Sequence, residues 1–274
     1  MGIRINTNIS SLITQRHLQN SSTEFQKSME KLSSGLRINR AGDDAAGLAI
    51  SEGLKSDIRA LDQASRNAAD GISLVQTGEG ALDEVSNILL RMKELAEQSL
   101  NGTLSNTDRG YLNAEFSALS GEINRISDST EFNGVKLLDG SGGTTAIQVG
   151  IGTTASDSVS IDLGDDLDAA GLGLAASISS ASGATTAMGQ IDAAISTVTS
   201  ARSSFGAIQN RLESSIRNIN MTSENLAAAN SRIRDVDIAR ETSRMTSYQI
   251  LQQAGVSMLA QANMSSGLAM ALLQ

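Results

Sequence analysis

Apolar residues recur at every seventh position in two long stretches of the chain. The first stretch is built on Leu54, Leu61, Ala68, Val75, Leu82, Leu89 and Ala96, and the second on Ile191, Val198, Phe205, Leu212, Ile219, Leu226 and Ile233. A strict seven-residue repeat is the period of a coiled coil, because it keeps one apolar seam of each helix against a partner. The pattern therefore predicts two long helices that pack together, with the dissimilar middle of the chain at their far end.

Helical periodicity and stop signals place the other helices. The predicted helices cover, in order, residues 3–37, about 45–99, about 105–127, about 186–234, and the segment from 238 to the end. Ser105 and Asp108 form a capping box that opens the third helix. Gly78 and Gly80 each weaken the second helix by about 1 kcal/mol relative to alanine, which leaves room for a bend there.

The middle of the chain predicts a small amount of β-structure. The pair Asn133-Gly134, set between apolar residues, is typical of a tight hairpin turn. Alternation with period two predicts two short strands, one on Ile147, Val149 and Ile151 and one on Val159, Ile161 and Leu163. The fold class expected is mainly α, with long antiparallel coiled-coil helices from both termini and a small β-hairpin region mid-chain.

The same pattern predicts how the chain divides. Residues 1–42 are expected to pack with 235–274, and 43–234 to form a second helical layer that carries the hairpin and loop region of about 129–185. The segment 164–187 is rich in Gly, Ala, Ser and Asp and is predicted to form a loop.

Composition and charge exclude several classes of protein. The 274 residues include no Pro, Cys or Trp, so no helix is broken by proline and no disulfide or thiolate metal site can form. The net charge of −9 argues against nucleic acid as a partner.

Glutamines interrupt the uncharged segment 245–274, so no membrane span is predicted. Residues 1–10 lack the apolar core of a cleaved signal peptide, so leaving the cell would require a dedicated export machine.

No group of residues is typical of an active site. His17 is the single histidine and is predicted to be an ordinary surface residue. Asp43 or Asp44 is expected to cap the second helix rather than to form a catalytic dyad. The cluster Asp165, Asp166 and Asp168 lacks the spacing of an EF-hand loop and is predicted to be a solvated turn. We therefore expect no enzymatic activity, no cofactor and no metal.

Several segments closely resemble bacterial flagellin, and the resemblance covers nearly the whole chain. The matching segments are Ile5-Asn6-Thr7-Asn8, Lys31-Leu32-Ser33-Ser34-Gly35-Leu36-Arg37-Ile38-Asn39, residues 41–50 (AGDDAAGLAI), Thr130-Glu131-Phe132-Asn133-Gly134 and Leu259-Ala260-Gln261-Ala262-Asn263. The resemblance implies a near-minimal member, in which 1–42 plus 235–274 is the inner core domain and 43–234 is the outer-tube domain. Flagellins commonly carry large variable outer domains mid-chain, whereas this chain has only the short hairpin and loop region there.

The resemblance also implies a function. The chain would be a structural subunit that self-assembles head-to-tail into the extracellular flagellar filament used for swimming. Implied partners are copies of itself, an export chaperone on the C-terminal segment, the filament cap and the hook-junction proteins. The alternative is a hook–filament junction adaptor, which shares the terminal helices, but the segment 259–263 and the N-terminal match favour the filament subunit.

Two sets of candidate contact residues follow. The apolar stripes of 3–37 and 245–273 predict an inner-core assembly surface on Ile9, Leu12, Leu32, Leu36, Leu251, Met258, Leu259 and Leu268. Single helices of this kind are marginal in water, so both ends are predicted to be disordered in the free subunit and to fold on assembly. Arg91, Leu95, Gln98 and Glu115 match flagellin positions read by the animal flagellin-sensing Toll-like receptor. The other interpretation, that this surface packs one protofilament against the next, is compatible with the first.

Overall fold

The computed structural model describes residues 7–271, with side chains described as far as Met264. Within that range the chain forms five α-helices and four short strands. The helices are α1 (Ile9–Ser34), α2 (Ala45–Leu100), α3 (Asn106–Ser129), α4 (Ala181–Arg234) and α5 (Ile238–Ala271). The strands are β1 (Glu131–Phe132), β2 (Val135–Lys136), β3 (Gly143–Gln148) and β4 (Ser158–Leu163), paired antiparallel as β1–β2 and β3–β4. The predicted fold class, mainly helical with small hairpins mid-chain, is confirmed.

The chain divides into two compact units, and both boundaries fall inside long helices. One unit contains the residues up to Ser56 and those from Asn225 onward, and the other is Asp57–Glu224. The inner-core and outer-tube domains, expected with boundaries after 42 and 234, stay a prediction. Across residues 7–271, none of the helices contains an apolar stretch of the length that a bilayer-spanning segment needs.

In the unit Asp57–Glu224, α2 and α4 run antiparallel. Lys93 Nζ lies 2.6 Å from Asp192 Oδ1, and Arg202 Nη1 lies 3.0 Å from Asp83 Oδ1, so positions rise along one helix as they fall along the other. The heptad residues of this unit, from Leu61 to Ala96 and from Ile191 to Ile219, are all at most 5% exposed. The predicted coiled-coil seam therefore forms the core of this unit.

Gly78 lies within an unbroken α2, and its role is close packing. A Cβ atom built on Gly78 would lie 2.7 Å from Cε2 of Phe205, and one on Gly71 would lie 3.2 Å from Cδ1 of Leu212. The two glycines are one heptad apart, as are the two large residues that approach them. The Gly78–Gly80 segment, which the sequence marks as a candidate bend, is thus continuous helix in which Gly78 makes space for an aromatic ring.

Local caps and turns define α3 and the first hairpin as predicted. Ser105 Oγ accepts a hydrogen bond from the Asp108 amide at 3.2 Å, and Asp108 Oδ2 accepts one from the Ser105 amide at 3.1 Å. Asn133 and Gly134 both have positive φ, at 51° and 79°, which is the geometry that a two-residue type I′ turn requires. The predicted capping box and hairpin turn are confirmed.

Several element boundaries differ from the sequence-based expectation. Helix α1 ends at Ser34 rather than at 37, because Gly35 takes the left-handed conformation with φ of 72°. Helix α1 begins at Ile9, later than predicted, because the Asn8 side chain accepts from the Ser11 amide at 3.0 Å and caps it. Helix α4 begins at Ala181 rather than near 186, since Ser180 Oγ accepts from the Gly183 amide at 3.2 Å. Val149 and Ile151 follow the end of β3 instead of lying within it, because the Gln148 side chain bonds the carbonyls of the next turn.

In the other unit, α1 and α5 pack antiparallel. Asn8 Nδ2 donates to the Ala262 carbonyl at 2.8 Å near one end, and Ser28 Oγ donates to Glu241 Oε1 at 2.7 Å near the other. A bridge between Leu36 and Asp235 joins the segments that follow α1 and precede α5. Helices from the two ends of the chain therefore pair, as the sequence predicts.

Candidate assembly surfaces

The paired helices α1 and α5 have almost no core of their own. Among their described side chains, only Ser28 and Glu241 are buried, at 3% and 5% exposure, and both are polar. Two helices can cover each other along only one face, so the apolar residues on the other faces stay in water. This pair buries a hydrogen bond near one of its ends rather than an apolar seam.

Large apolar side chains are correspondingly exposed in this unit. Those exposed by 43–64% are Ile9, Leu12, Ile13, Met29, Ile50, Ile238, Ile250, Leu251, Val256, Met258 and Met264. Full burial of one such side chain is worth about 1.5–3 kcal/mol. An exposed apolar surface of this extent marks an interaction site rather than an ordinary surface.

The predicted inner-core residues take different positions on this unit. Ile9, Leu12, Leu251 and Met258 are exposed, while Leu32, Leu36 and Leu259 are half-buried. The side chain of Leu268 lies outside the described residues. The seven residues with described side chains lie in the helical pair and in the turn that follows α1, and four of the seven leave about half or more of their side chain exposed.

A second candidate surface joins α2 to α3 in the unit Asp57–Glu224. Arg91 Nη1 donates to Glu94 Oε2 at 2.9 Å, and its Nε and Nη2 donate to Glu115 Oε1 at 3.1 and 2.9 Å. The hydrogen bond to Glu94, followed in size of effect by the one to Glu115, raises the pKa of Arg91. Because the group is open to solvent, this charge cluster positions the side chains more than it stabilises the fold.

The structure brings together three of the four candidate receptor or protofilament residues. Arg91 and Gln98 are exposed two helical turns apart on α2, and Glu115 is exposed beside Arg91. Leu95 is 1% exposed and belongs to the apolar core beneath them. Its side chain supports this surface from inside and is not on it.

Sequence reasoning missed two residues beside this charge cluster. Tyr111 is 73% exposed, the most exposed large apolar side chain among the described residues, and Leu90, next to Arg91, is also exposed. Tyr111 and Glu115 are four residues apart on α3 and so share one face. The signal available in the sequence was this spacing, read together with the scarcity of aromatic residues.

The acidic residues weighed as candidate chemical sites have local structural partners. Asp44 Oδ1 accepts from the Gly47 amide at 2.8 Å and caps α2, whereas Asp43 Oδ2 accepts from the amides of Asn39 and Arg40. Those backbone donors hold the pKa of Asp43 below its ordinary value. Asp168 Oδ1 accepts from the Gly171 amide within a turn. Over the described residues, no group of three acidic or histidine side chains could hold a metal ion.

A helical chain whose end helices pair yet keep large apolar faces in water is built for self-association, which places it among structural assembly proteins. The model of the bacterial flagellin N-terminal helical region matches residues 5–142, and that of the C-terminal helical region matches residues 188–273. The chain belongs to the bacterial flagellin family. It is a structural, non-enzymatic subunit of the extracellular flagellar filament, where flagellin forms a homopolymer.

Similar proteins agree with this assignment along the length of the chain. The chain is 52% identical to a flagellin of Halalkalibacterium halodurans, over 94% of this chain and 95% of that one. It is 46% identical to a flagellin of Bacillus subtilis, over 95% and 96%. The crystal structure of Bacillus cereus flagellin superposes with a TM-score of 0.51 at 35% identity, covering 60% of this chain and 94% of that one.

For the alternative function, a hook–filament junction adaptor, the similarity to a known structure is one of fold only. The structure of a putative flagellar hook-associated protein from Vibrio parahaemolyticus superposes with a TM-score of 0.58 at 17% identity, covering 70% of this chain and all of that one. At that identity the shared helical arrangement carries no shared role. The filament subunit is therefore the function that the family assignment supports.

Proposed function

We propose that the exposed apolar faces of α1 and α5 are the surface through which copies of the chain pack in the filament's inner core. In this proposal residues 1–42 with 235–274 are the inner core domain, and 43–234 are the outer-tube domain. The observation that carries it is the absence of any fully buried apolar side chain among the described residues of α1 and α5. Neighbouring copies supply the cover that this pair of helices lacks.

Folding of the ends and assembly are then one process. An isolated helix pair without an apolar seam opens readily, because helix formation alone is close to balanced in water. Covering by neighbours adds about 1.5–3 kcal/mol for each large side chain, and ordering of the chain offsets part of that gain. Subunits join head-to-tail through unlike surfaces, so the contact does not close and the polymer grows as a helix.

Amide hydrogen exchange tests this proposal. Amides of Ile9–Ser34 and of α5 should exchange rapidly in dilute monomer and slowly in the filament, whereas those of the heptad core should be protected in both. The heptad core is the internal control for intact folding. Full protection of both end helices in dilute monomer would contradict the proposal.

The same apolar face of α5 is the surface that an export chaperone would cover before assembly. Ile250, Leu251 and Val256 are exposed, and no charged residue lies between Met245 and the end of the chain. Filament cap and hook-junction proteins would meet these end helices at the two ends of the polymer. Removing residues 238–274 should abolish chaperone binding in calorimetry, while removing the mid-chain loop 165–175 should not.

The Arg91 surface serves packing between protofilaments and recognition by the host Toll-like receptor. Arg91, Gln98 and Glu115 supply exposed polar and charged contacts, and Leu95 acts by holding α2 and α3 in place. In a reporter-cell assay, Arg91→Ala should lower the potency of the monomer about tenfold or more. Arg66→Ala, another exposed arginine on α2, is the matched control, and equal potency of the two variants would exclude the receptor role.

A further inference from the structure

The β3–β4 hairpin and α4 form a cleft that is separate from both candidate assembly surfaces. Two adjoining hollows of about 400 and 340 Å³ share Val149, Ser156, Ser215 and Asn218 and so form one continuous depression. Its floor is apolar and buried, built by Leu61, Val149, Val159 and Ile219. Its walls carry hydroxyl and amide groups. The cleft therefore fits a side chain with an apolar body and a polar tip.

One end of this cleft carries a positive charge that the fold does not neutralise. Arg211 lines that end, and within the described residues no carboxylate lies within ion-pair distance of its guanidinium. At the other end Asp157 Oδ2 accepts from the amide and hydroxyl of Thr154, at 3.1 and 2.6 Å. The acid is thus engaged within its own turn, and the arginine is free to meet a partner.

The complementary surface lies elsewhere in the same unit. Tyr111 projects from α3 with an exposed ring, and Glu115 follows it one turn later. Arg91 is shared between Glu94 and Glu115, so these three groups together carry one excess negative charge. A protruding tyrosine beside a net negative cluster matches an apolar-floored cleft with a free arginine at its edge.

The two surfaces of one copy cannot meet each other. Leu61, in the cleft floor, and Arg91, beside Glu115, are thirty residues apart on the continuous helix α2, which separates them by roughly 45 Å. A contact between them must therefore join different copies. Because the surfaces are unlike, each copy would use its cleft for one neighbour and its tyrosine for the next, so the contact repeats without closing.

We propose that Tyr111 of one subunit inserts into the cleft between β3–β4 and α4 of the next subunit, where Glu115 meets Arg211. This inference rests on the proposed head-to-tail assembly and adds the two surfaces that make one of its contacts. Tyrosine and arginine are the residue types that most often dominate the energy of such interfaces.

Disulfide crosslinking tests the contact directly, because the chain contains no cysteine. Filaments of the variant with both Tyr111→Cys and Ser215→Cys should give a ladder of covalent dimers, trimers and higher species on oxidation. Dissolved monomer at the same concentration should not. The control pair Tyr111→Cys with Thr185→Cys places the second thiol on an exposed position of α4 away from the cleft, and it should give no ladder.

Two results would overturn this contact while leaving filament formation intact. Filaments of the double variant without a ladder would show that the two surfaces do not meet. Covalent dimers from filaments of Tyr111→Cys alone would show that two copies meet tyrosine to tyrosine. By contrast, failure of the unaltered chain to elongate filament seeds would overturn the proposed head-to-tail assembly itself.

A charge variant gives a second, independent measurement. Arg211→Glu should raise the monomer concentration needed for seeded growth by about tenfold, because it sets like charges against each other at the contact. Arg217→Glu, an exposed arginine on α4 that does not line the cleft, is the matched control and should change that concentration much less. Equal effects of the two variants would contradict the contact.

Discussion

At the scale of single residues, short polar side chains decide where the helices begin. Asn8, Asp44, Ser105 and Ser180 each accept a hydrogen bond from the backbone amide three residues later. These bonds satisfy amides that the helix itself leaves without a partner. A proline-free chain with long apolar repeats depends on such caps to stop one helix from running into the next.

The cap of α3 contributes measurably to the stability of the folded chain. Ser105→Ala removes the acceptor for the Asp108 amide and should lower the free energy of unfolding by about 1 kcal/mol in urea denaturation. Ser117→Ala, in the exposed middle of the same helix, is the control and should be neutral or slightly stabilising. Equal stability of the two variants would contradict the assigned role of the cap.

The same cap makes stability depend on pH. Hydrogen bonds from the Ser105 hydroxyl and amide lower the pKa of Asp108 from its ordinary value of 3.8. A carboxyl group with a lower pKa in the folded state stabilises that state above pH 4, and the effect is lost as the pH falls through the lowered value. The urea midpoint should therefore fall between pH 6 and pH 3, and by less in Ser105→Ala. An identical fall in both proteins would argue against this linkage.

At the scale of elements, the seven-residue repeat predicted α2 and α4, because a buried seam leaves a regular trace in the sequence. The weak point expected at Gly78 lies in continuous helix, and its packing role was not foreseen, since helix propensity carries no information about the ring of Phe205 on another helix. The early start of α4 was missed because Ser180 is one serine among many in its segment. Likewise, the cleft between β3–β4 and α4 is formed by residues from three distant segments of the chain, so no local sequence pattern predicts it.

Substituting two glycines in one turn of α2 distinguishes the effect of side-chain packing on stability from the effect of helix propensity. Gly78→Ala should destabilise the protein by roughly 1–3 kcal/mol, because the new methyl group would overlap Phe205. Gly80→Ala meets no neighbour within 4 Å and should stabilise the helix by up to about 1 kcal/mol. Thermal unfolding of both variants measures the difference, and a gain in stability for Gly78→Ala would show that the close approach to Phe205 relaxes without cost.

At the scale of the whole molecule, apolar surface is distributed unequally between the two units. The unit Asp57–Glu224 encloses a continuous core, whereas the described helices of the other unit expose most of their large apolar side chains. In the proposed assembly, other copies cover the apolar side chains that the second unit leaves exposed. Stability and assembly should therefore respond to different residues.

Polar substitution on the end helices tests this separation. The double variant Leu12→Gln and Met258→Gln removes apolar surface that one copy does not bury, so the melting temperature of the monomer should hardly change. Seeded growth should nevertheless need at least about tenfold more monomer, because that surface is buried in the polymer. Met258→Leu alone keeps the apolar character and is the control. Normal growth of the double variant would place the assembly surface elsewhere.

The hydrogen bond between Ser28 and Glu241 has a consequence for the accuracy of assembly. Apolar contacts along two helices are nearly interchangeable, so apolar packing alone would let α1 slide past α5 by one turn at little cost. A carboxylate that loses its donor in a buried position is costly, and Glu241 has only Ser28, at 2.7 Å, and Arg244, at 3.5 Å, as described side-chain partners. Together with the Asn8–Ala262 hydrogen bond and the Leu36–Asp235 bridge, this buried polar contact selects a single alignment of α1 against α5. Fibres of Glu241→Leu should diffract with blurred layer lines, and equally sharp layer lines would show that the alignment is set by other residues.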